Sequence, residues 1–217
     1  MGRSKYTDEK RKDMLLMFIR TTRTIIDNEG ISEVTIRKIA KASGYNSATI
    51  YLYFRDLDEL MCLASLSYVE DLIRDWVEGL NQPRSTVETY CYSWELFAGY
   101  ALKHPQVFNH LFYYPHSRPF VETVRYYHEL FPERLEDISD IIEEILLGQP
   151  HVERERSILL PLTQEGHIKE DELTMISSLA SCYFRKLLDT KCREGDAVDS
   201  EELVAKQLRV VHFLLKS

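Results

Sequence analysis

Thr35-Ile36-Arg37-Lys38-Ile39-Ala40-Lys41-Ala42-Ser43-Gly44-Tyr45-Asn46-Ser47-Ala48-Thr49-Ile50-Tyr51-Leu52-Tyr53-Phe54-Arg55-Asp56-Leu57-Asp58-Glu59-Leu60 is the stretch on which the fold turns. Thr35 is a good N-cap for a short helix whose Ile36, Ile39 and Ala40 face inward, and Ser43-Gly44 closes it. Asn46 or Ser47 caps the next helix, in which Ile50 and Phe54 stand at i, i+4 and share a face. Two short helices around a glycine turn make a helix-turn-helix unit over residues 35–54, and the second helix has the width to enter a duplex major groove. Asp56-Leu57-Asp58-Glu59 is a capping-box pattern that opens a longer helix, broken near Leu80 by Asn81-Gln82-Pro83.

Upstream, Met14, Leu15, Phe18, Ile19, Thr22, Ile25 and Ile26 recur at three- and four-residue spacing, which predicts a helix from about Asp8 to Glu29 with Gly30 as its stop. Downstream, the pattern predicts helices near 84–103, 105–113, 118–131, 133–147, 151–165, 170–193 and 200–215. Pro105, Pro115, Pro132 and Pro150, with Gly166 and Gly195, punctuate them, and Pro161 is expected to kink or split the helix it falls in. With only 8 Gly and 7 Pro among 217 residues, and no sustained strand period, the reading is all-α.

Charge divides the chain. Residues 1–55 hold 11 Lys and Arg against 6 Asp and Glu, leaving 16 against 29 for the remainder of a chain whose net charge is -8. A basic head on an acidic body is fit to approach phosphates with its first segment only. Cys62, Cys91, Cys182 and Cys192 show no C-x-x-C spacing, so neither a disulfide framework nor a zinc site is expected, and the reading is of reduced thiols in a cytoplasmic protein. No apolar leader follows Met1, and no run is long enough to span a bilayer.

The 35–60 stretch, with Phe18-Ile19, Thr21-Thr22, Ile25-Ile26 and Gly30 ahead of it, resembles the TetR family of bacterial transcription regulators. The resemblance covers about residues 10–65. It implies an N-terminal three-helix DNA-binding domain over 1–55, followed over 56–217 by a larger helical-bundle domain for ligand binding and dimerisation. By position, the DNA-binding set is Thr35, Arg37, Asn46, Ser47, Ala48, Thr49, Tyr51, Leu52, Tyr53 and Arg55. In that implied arrangement Thr35 touches a phosphate, Arg37 reaches a phosphate or a base edge, and Ser47, Ala48, Thr49 and Leu52 face the groove. Tyr51 and Tyr53 offer hydroxyls to the backbone and Arg55 adds charge, although the tyrosine rings would serve equally as packing. The sequence departs from the family where Leu57 and Ser47 stand at positions often held by Lys, which shifts weight to Arg37, Arg55 and Lys10-Arg11-Lys12.

In the body, aromatic residues concentrate between Tyr90 and Phe131. Tyr90, Trp94, Phe97, Tyr100, Phe108, Phe112, Tyr126 and Tyr127 are the candidate lining of a pocket for a drug-sized apolar ligand; an ordinary aromatic core is the competing reading. His104, His110, His116 and His128 lie in the same region without metal-ligand spacing, so no metal or cofactor is expected. Leu173, Ile176, Ala180, Tyr183 and Leu187 form one stripe, and Val204, Leu208, Val211 and Leu215 another. By the resemblance these two helices pair with a second copy as a four-helix bundle; burial within one subunit is the alternative.

The function expected from these features is a dimeric, ligand-responsive repressor of a palindromic double-stranded DNA operator, with no membrane association. Control by a protein partner in place of a small molecule is a rival. An enzyme on a helical bundle is disfavoured, because no nucleophile elbow, phosphate loop, metal spacing or paired-carboxylate motif is present.

Overall fold

The computed structural model describes residues 2–131 and 159–215, with side chains from residue 9 onward. Among the described residues regular structure is helical throughout: α1 (Gly2–Glu29), α2 (Ile36–Ser43), α3 (Ser47–Ile50), α4 (Leu57–Leu80), α5 (Thr86–Lys103), α6 (Pro105–Tyr113), α7 (Phe120–Leu130), α8 (Leu173–Glu194) and α9 (Ser200–Leu214). The expected 133–147 helix, and most of the 151–165 helix, lie outside the described residues; residues 159–164 are helical. The first helix begins at Gly2 instead of Asp8, and residues 170–172 form a 3-10 turn ahead of α8. By contacts the chain divides into two units, the first comprising the described residues up to Tyr68 with 113–131, the second 69–112 with 159–215.

In the first unit the α1 stripe does what its spacing predicts. Leu15, Phe18, Ile19, Thr22, Ile25 and Ile26 are buried, together with Ile39 and Ala40 of α2, Ile50 of α3 and Phe54. Phe18, fully enclosed, lies edge-on to Tyr45 (5.7 Å) and Phe54 (6.2 Å). Burying a ring of that size contributes about 2 to 3 kcal/mol, so one residue of α1 anchors the turn of the motif and the segment that follows α3. Thr35 caps α2 by accepting the Lys38 N–H at 3.2 Å. Gly44 ends α2 at φ 76°, a left-handed conformation that only glycine adopts without strain. Asn46, rather than Ser47, caps α3: its Oδ1 accepts the Thr49 N–H at 2.9 Å. The first half of α4 is apolar on nearly every side, with Leu60, Cys62, Leu63, Ala64 and Leu66 all buried. It is fastened to α1 where Tyr68 donates to Asp27 at 2.5 Å and the Arg23 guanidinium covers the Tyr68 ring at 3.2 Å.

The second unit is built around α5. A capping box starts that helix, the Ser85 N–H donating to Glu88 at 2.8 Å and the Glu88 N–H to Ser85 at 3.3 Å. Helix α9 packs against α5 and α8. Ser200 donates to the Leu102 carbonyl at 3.3 Å, and the buried Gln207 donates to the Ala180 carbonyl at 3.1 Å. No described helix is long and apolar enough to cross a membrane.

Candidate nucleic-acid interface

The packing just described decides which side of the turn motif is left to solvent. Ile50 is buried and Phe54 packs against Phe18, so the i+1 and i+2 positions that follow Ile50 point away. Ala48 is exposed, Tyr51 is 55% exposed and Leu52 71% exposed. Ser47 and Thr49 are half-buried beside them, Thr49 also donating its hydroxyl to Asn46 at 3.1 Å. Thr35 and Arg37, at the start of α2, are exposed as well. Tyr53 occupies both roles weighed for it: its ring lies 5.8 Å from Phe18 and beneath the Arg11 guanidinium at 5.2 Å, and it remains half-exposed. Tyr51 and Leu52 thus present neighbouring large side chains to solvent at the end of the motif.

At the base of this head sits a network that sequence reasoning missed. Asp56 Oδ1 accepts the Glu59 N–H at 2.9 Å, as the capping pattern requires. Glu59 reaches back one residue further than a capping box, taking the Arg55 N–H at 2.6 Å, and pairs with Arg118 at 2.9 Å. The Arg55 guanidinium donates to the Ser117 carbonyl at 2.6 Å, so the charge expected to face phosphate is already shared with the chain's own backbone. Ser117 returns its N–H to Asp58 Oδ2 at 2.8 Å and its hydroxyl to Asp56 at 3.1 Å. The buried Cys62 thiol lies 3.1 Å from His116 Nδ1. Burial first, then the carboxylates of Asp58 and Asp56, push that thiol well above the ordinary range, so it stays protonated. The capping residues were legible locally, but their partners lie some 60 positions on and carry no local signal.

Residues 18–61 match the family model described as bacterial regulatory proteins, tetR family. Over those residues the chain is similar to the TetR family. No curated protein sequence matches it. Solved TetR-type structures share its fold over nearly the whole chain. A FadR from Thermus thermophilus, a TetR-family transcriptional repressor in complex with lauroyl-CoA, is 19% identical with a TM-score of 0.59, covering 91% of this chain and 93% of that one. RolR with resorcinol is 16% identical with a TM-score of 0.61, covering 96% and 94%. FadR from Bacillus subtilis with stearoyl-CoA is 17% identical with a TM-score of 0.58, covering 92% and 97%. These likenesses show the fold that the chain shares with TetR-type regulators.

The body residues fall differently from the head residues. Tyr90, Trp94, Phe97, Tyr100, Phe108 and Phe112 lie in the second unit, whereas Tyr126 and Tyr127 belong to the first, so the eight do not gather within either. In the second unit Phe97 is the hub, 5.2 Å from Phe184, 5.8 Å from Phe112 and 6.0 Å from Trp94 and Phe108. Tyr90, Trp94 and Phe108 are buried, and Tyr100 donates to Asp75 at 2.5 Å. In the first unit Tyr127 is buried against Phe131 at 4.6 Å, while Tyr126 is half-buried under Arg118.

Of the stripes expected at a dimer contact, Leu173, Ile176, Ala180, Leu187 and Val211 are buried within the single chain. The physical reason is that α5, α8 and α9 already need those faces for their own core. Tyr183, Val204, Leu208 and Leu215 are half-buried at its margin. The large apolar side chains these helices leave in water are Met175, Leu179 and Phe213, the last 75% exposed. Met175 and Leu179 stand one residue before Ile176 and Ala180, on the adjacent face of α8, whereas Phe213 lies between Val211 and Leu215 and faces away from the α9 stripe.

Proposed function

We propose that this chain is a TetR-type transcription regulator, a ligand-responsive repressor that holds a palindromic operator as a homodimer and releases it when a small molecule occupies the C-terminal domain. Residues 1–55 act as the reading domain and 56–217 as the sensing and pairing domain. One observation supports the DNA half of this reading: Ile50 is buried and Phe54 packs on Phe18, which leaves Ala48, Tyr51 and Leu52 outward on and just after the second helix of the motif. In the groove, Ser47, Ala48, Thr49 and Leu52 read base edges, with thymine methyls suiting the apolar members. Thr35, Arg37, Asn46, Tyr51, Tyr53 and Arg55 set the register on phosphates, which carry affinity but little sequence information.

Pairing is assigned to the exposed Met175, Leu179 and Phe213, with Tyr183, Val204, Leu208 and Leu215 completing the contact. A two-fold contact of this kind places two reading heads on symmetric half-sites. The effector reading draws on the aromatic residues around Phe97 and on the similar regulators solved with acyl-CoA or resorcinol. It needs a coupling of only about 1 to 3 kcal/mol between the two ligands, a 5- to 150-fold change in operator affinity. Helix α4 and the Ser117 latch at its start are the route along which such a change reaches the head.

The test is selection of bound fragments from the source genome at a stated salt concentration. Enrichment of a short inverted repeat supports the reading; recovery of fragments with no shared sequence overturns it.

A further inference from the structure

We infer that Asp58, Cys62 and His116 form a binding site for a borderline divalent transition metal ion, with Zn(II) as its natural chemical class. Asp58 and Cys62 stand one helical turn apart on the first two turns of α4, and His116 is brought onto them by the segment between α6 and α7. Three potential ligand atoms converge: Cys62 Sγ to His116 Nδ1 is 3.1 Å, His116 Nδ1 to Asp58 Oδ1 is 3.2 Å, and Cys62 Sγ to Asp58 Oδ1 is 3.9 Å. Ligands bound at the usual Zn–N, Zn–O and Zn–S lengths in a tetrahedron lie about 3.3 to 3.7 Å from one another, so the observed triangle is that of one tetrahedral face after shifts of a few tenths of an ångström.

The surroundings are those of a held site. Asp58 Oδ2 is occupied by the Ser117 N–H at 2.8 Å, which leaves Oδ1 aimed at the other two ligands. The His116 ring, its side chain 7% exposed, lies against the Phe120 ring at 6.4 Å and 30°. Partners of this kind fix ligand orientation, as outer-shell contacts do in metal proteins. Thiolate, imidazole and carboxylate together select Zn(II) or its spectroscopic substitute Co(II) over Mg(II) or Ca(II), which take oxygen. Binding two anionic ligands neutralises the ion, and the thiol proton is released to solvent as the Cys62–metal bond forms. Spacing rules overlooked this set because His116 is 54 residues from Cys62.

The site does not depend on the operator reading and is tested with metal alone. The full-length chain, stripped with chelator, is titrated with Co(II) and then Zn(II). The inference expects one ion per chain, a thiolate-to-cobalt charge-transfer band with tetrahedral ligand-field bands, and displacement of both by Zn(II). Cys62→Ser abolishes the charge-transfer band, and His116→Gln weakens binding at least tenfold. Each variant's metal-free thermal unfolding is measured alongside. If a variant fails to fold, the wild-type chain still decides: Zn(II) raises its melting temperature if the site is real. Wild-type protein that shows neither the charge-transfer band nor a Zn(II)-dependent rise overturns the inference, as do folded variants that bind as tightly as wild type.

Discussion

The Arg55 guanidinium donates to the main-chain oxygen of Ser117 at 2.6 Å, joining the residue just after the reading motif to the turn that follows α6. The same turn binds the start of α4 through Ser117 and Asp58, and through Arg118 and Glu59. The residue expected to strengthen DNA binding is therefore also the residue that feels the position of the 113–119 segment. In a two-state regulator this is an economical place for coupling, because one group contributes to both equilibria.

Glu59 is the keystone of that joint, only 4% exposed and shared between the Arg55 N–H and Arg118. Glu59→Gln keeps the shape and removes the charge, leaving Arg118 without its ionic partner. Breaking a fully buried pair costs about 3 to 5 kcal/mol, and the partial exposure of Arg118 reduces this to about 1 to 3. Urea unfolding is expected to show that loss, whereas an unchanged midpoint contradicts the role assigned to the pair.

Thr22 is buried on α1, and its hydroxyl has no hydrogen-bond partner among the described residues. Thr22→Val keeps the volume and removes the desolvated oxygen, and a gain of about 1 kcal/mol in unfolding free energy follows. Calorimetry or chemical denaturation reads the sign directly; a loss of stability means the hydroxyl is satisfied in solution.

Ile50 and Leu52, two residues apart, should separate folding from recognition. Ile50→Ala opens a cavity under the motif and costs about 2 to 5 kcal/mol of stability. Leu52→Ala changes stability by less than about 0.5 kcal/mol, since the side chain is largely in water, yet it weakens binding to the selected operator by about 1 to 3 kcal/mol. Equal losses of stability in the two variants would contradict the assigned faces.

Leu179→Arg and Phe213→Arg place charge on the proposed pairing surface without entering the core. Each is expected to yield a folded monomer by light scattering and to weaken binding to a full palindrome far more than to one half-site. Leu187→Arg, by contrast, strikes the intrachain core and should unfold the body. A dimer that survives both surface substitutions moves the interface elsewhere.

Much of the fold was legible in the sequence because its signals are local. Thr35, Gly44 and Asn46 act within three or four residues of themselves, and the Phe18 stripe has helical period, so the head could be drawn before any coordinates. The body was harder. Hydrophobic spacing finds which face of α8 is apolar but not what covers it, and α8 has two such faces: Ile176 and Ala180 turn toward α9 and α5, Met175 and Leu179 toward solvent. Aromatic density likewise marked Trp94 and Phe97 without revealing that Phe184, far along the chain, closes over both. The Ser117 latch and the Asp58–Cys62–His116 triangle depend wholly on tertiary juxtaposition, which no window of sequence contains.

The account rests on the outward face of α3 meeting duplex DNA, and fluorescence anisotropy against the selected fragment, repeated across a salt series, tests this most directly. The account predicts tight binding of one dimer per inverted repeat with a steep salt dependence, and loss of that preference when Arg37 and Tyr51 are both replaced by Ala. Protein that remains folded yet leaves every duplex unbound at low ionic strength, or a double variant that binds the fragment as wild type does, would contradict it.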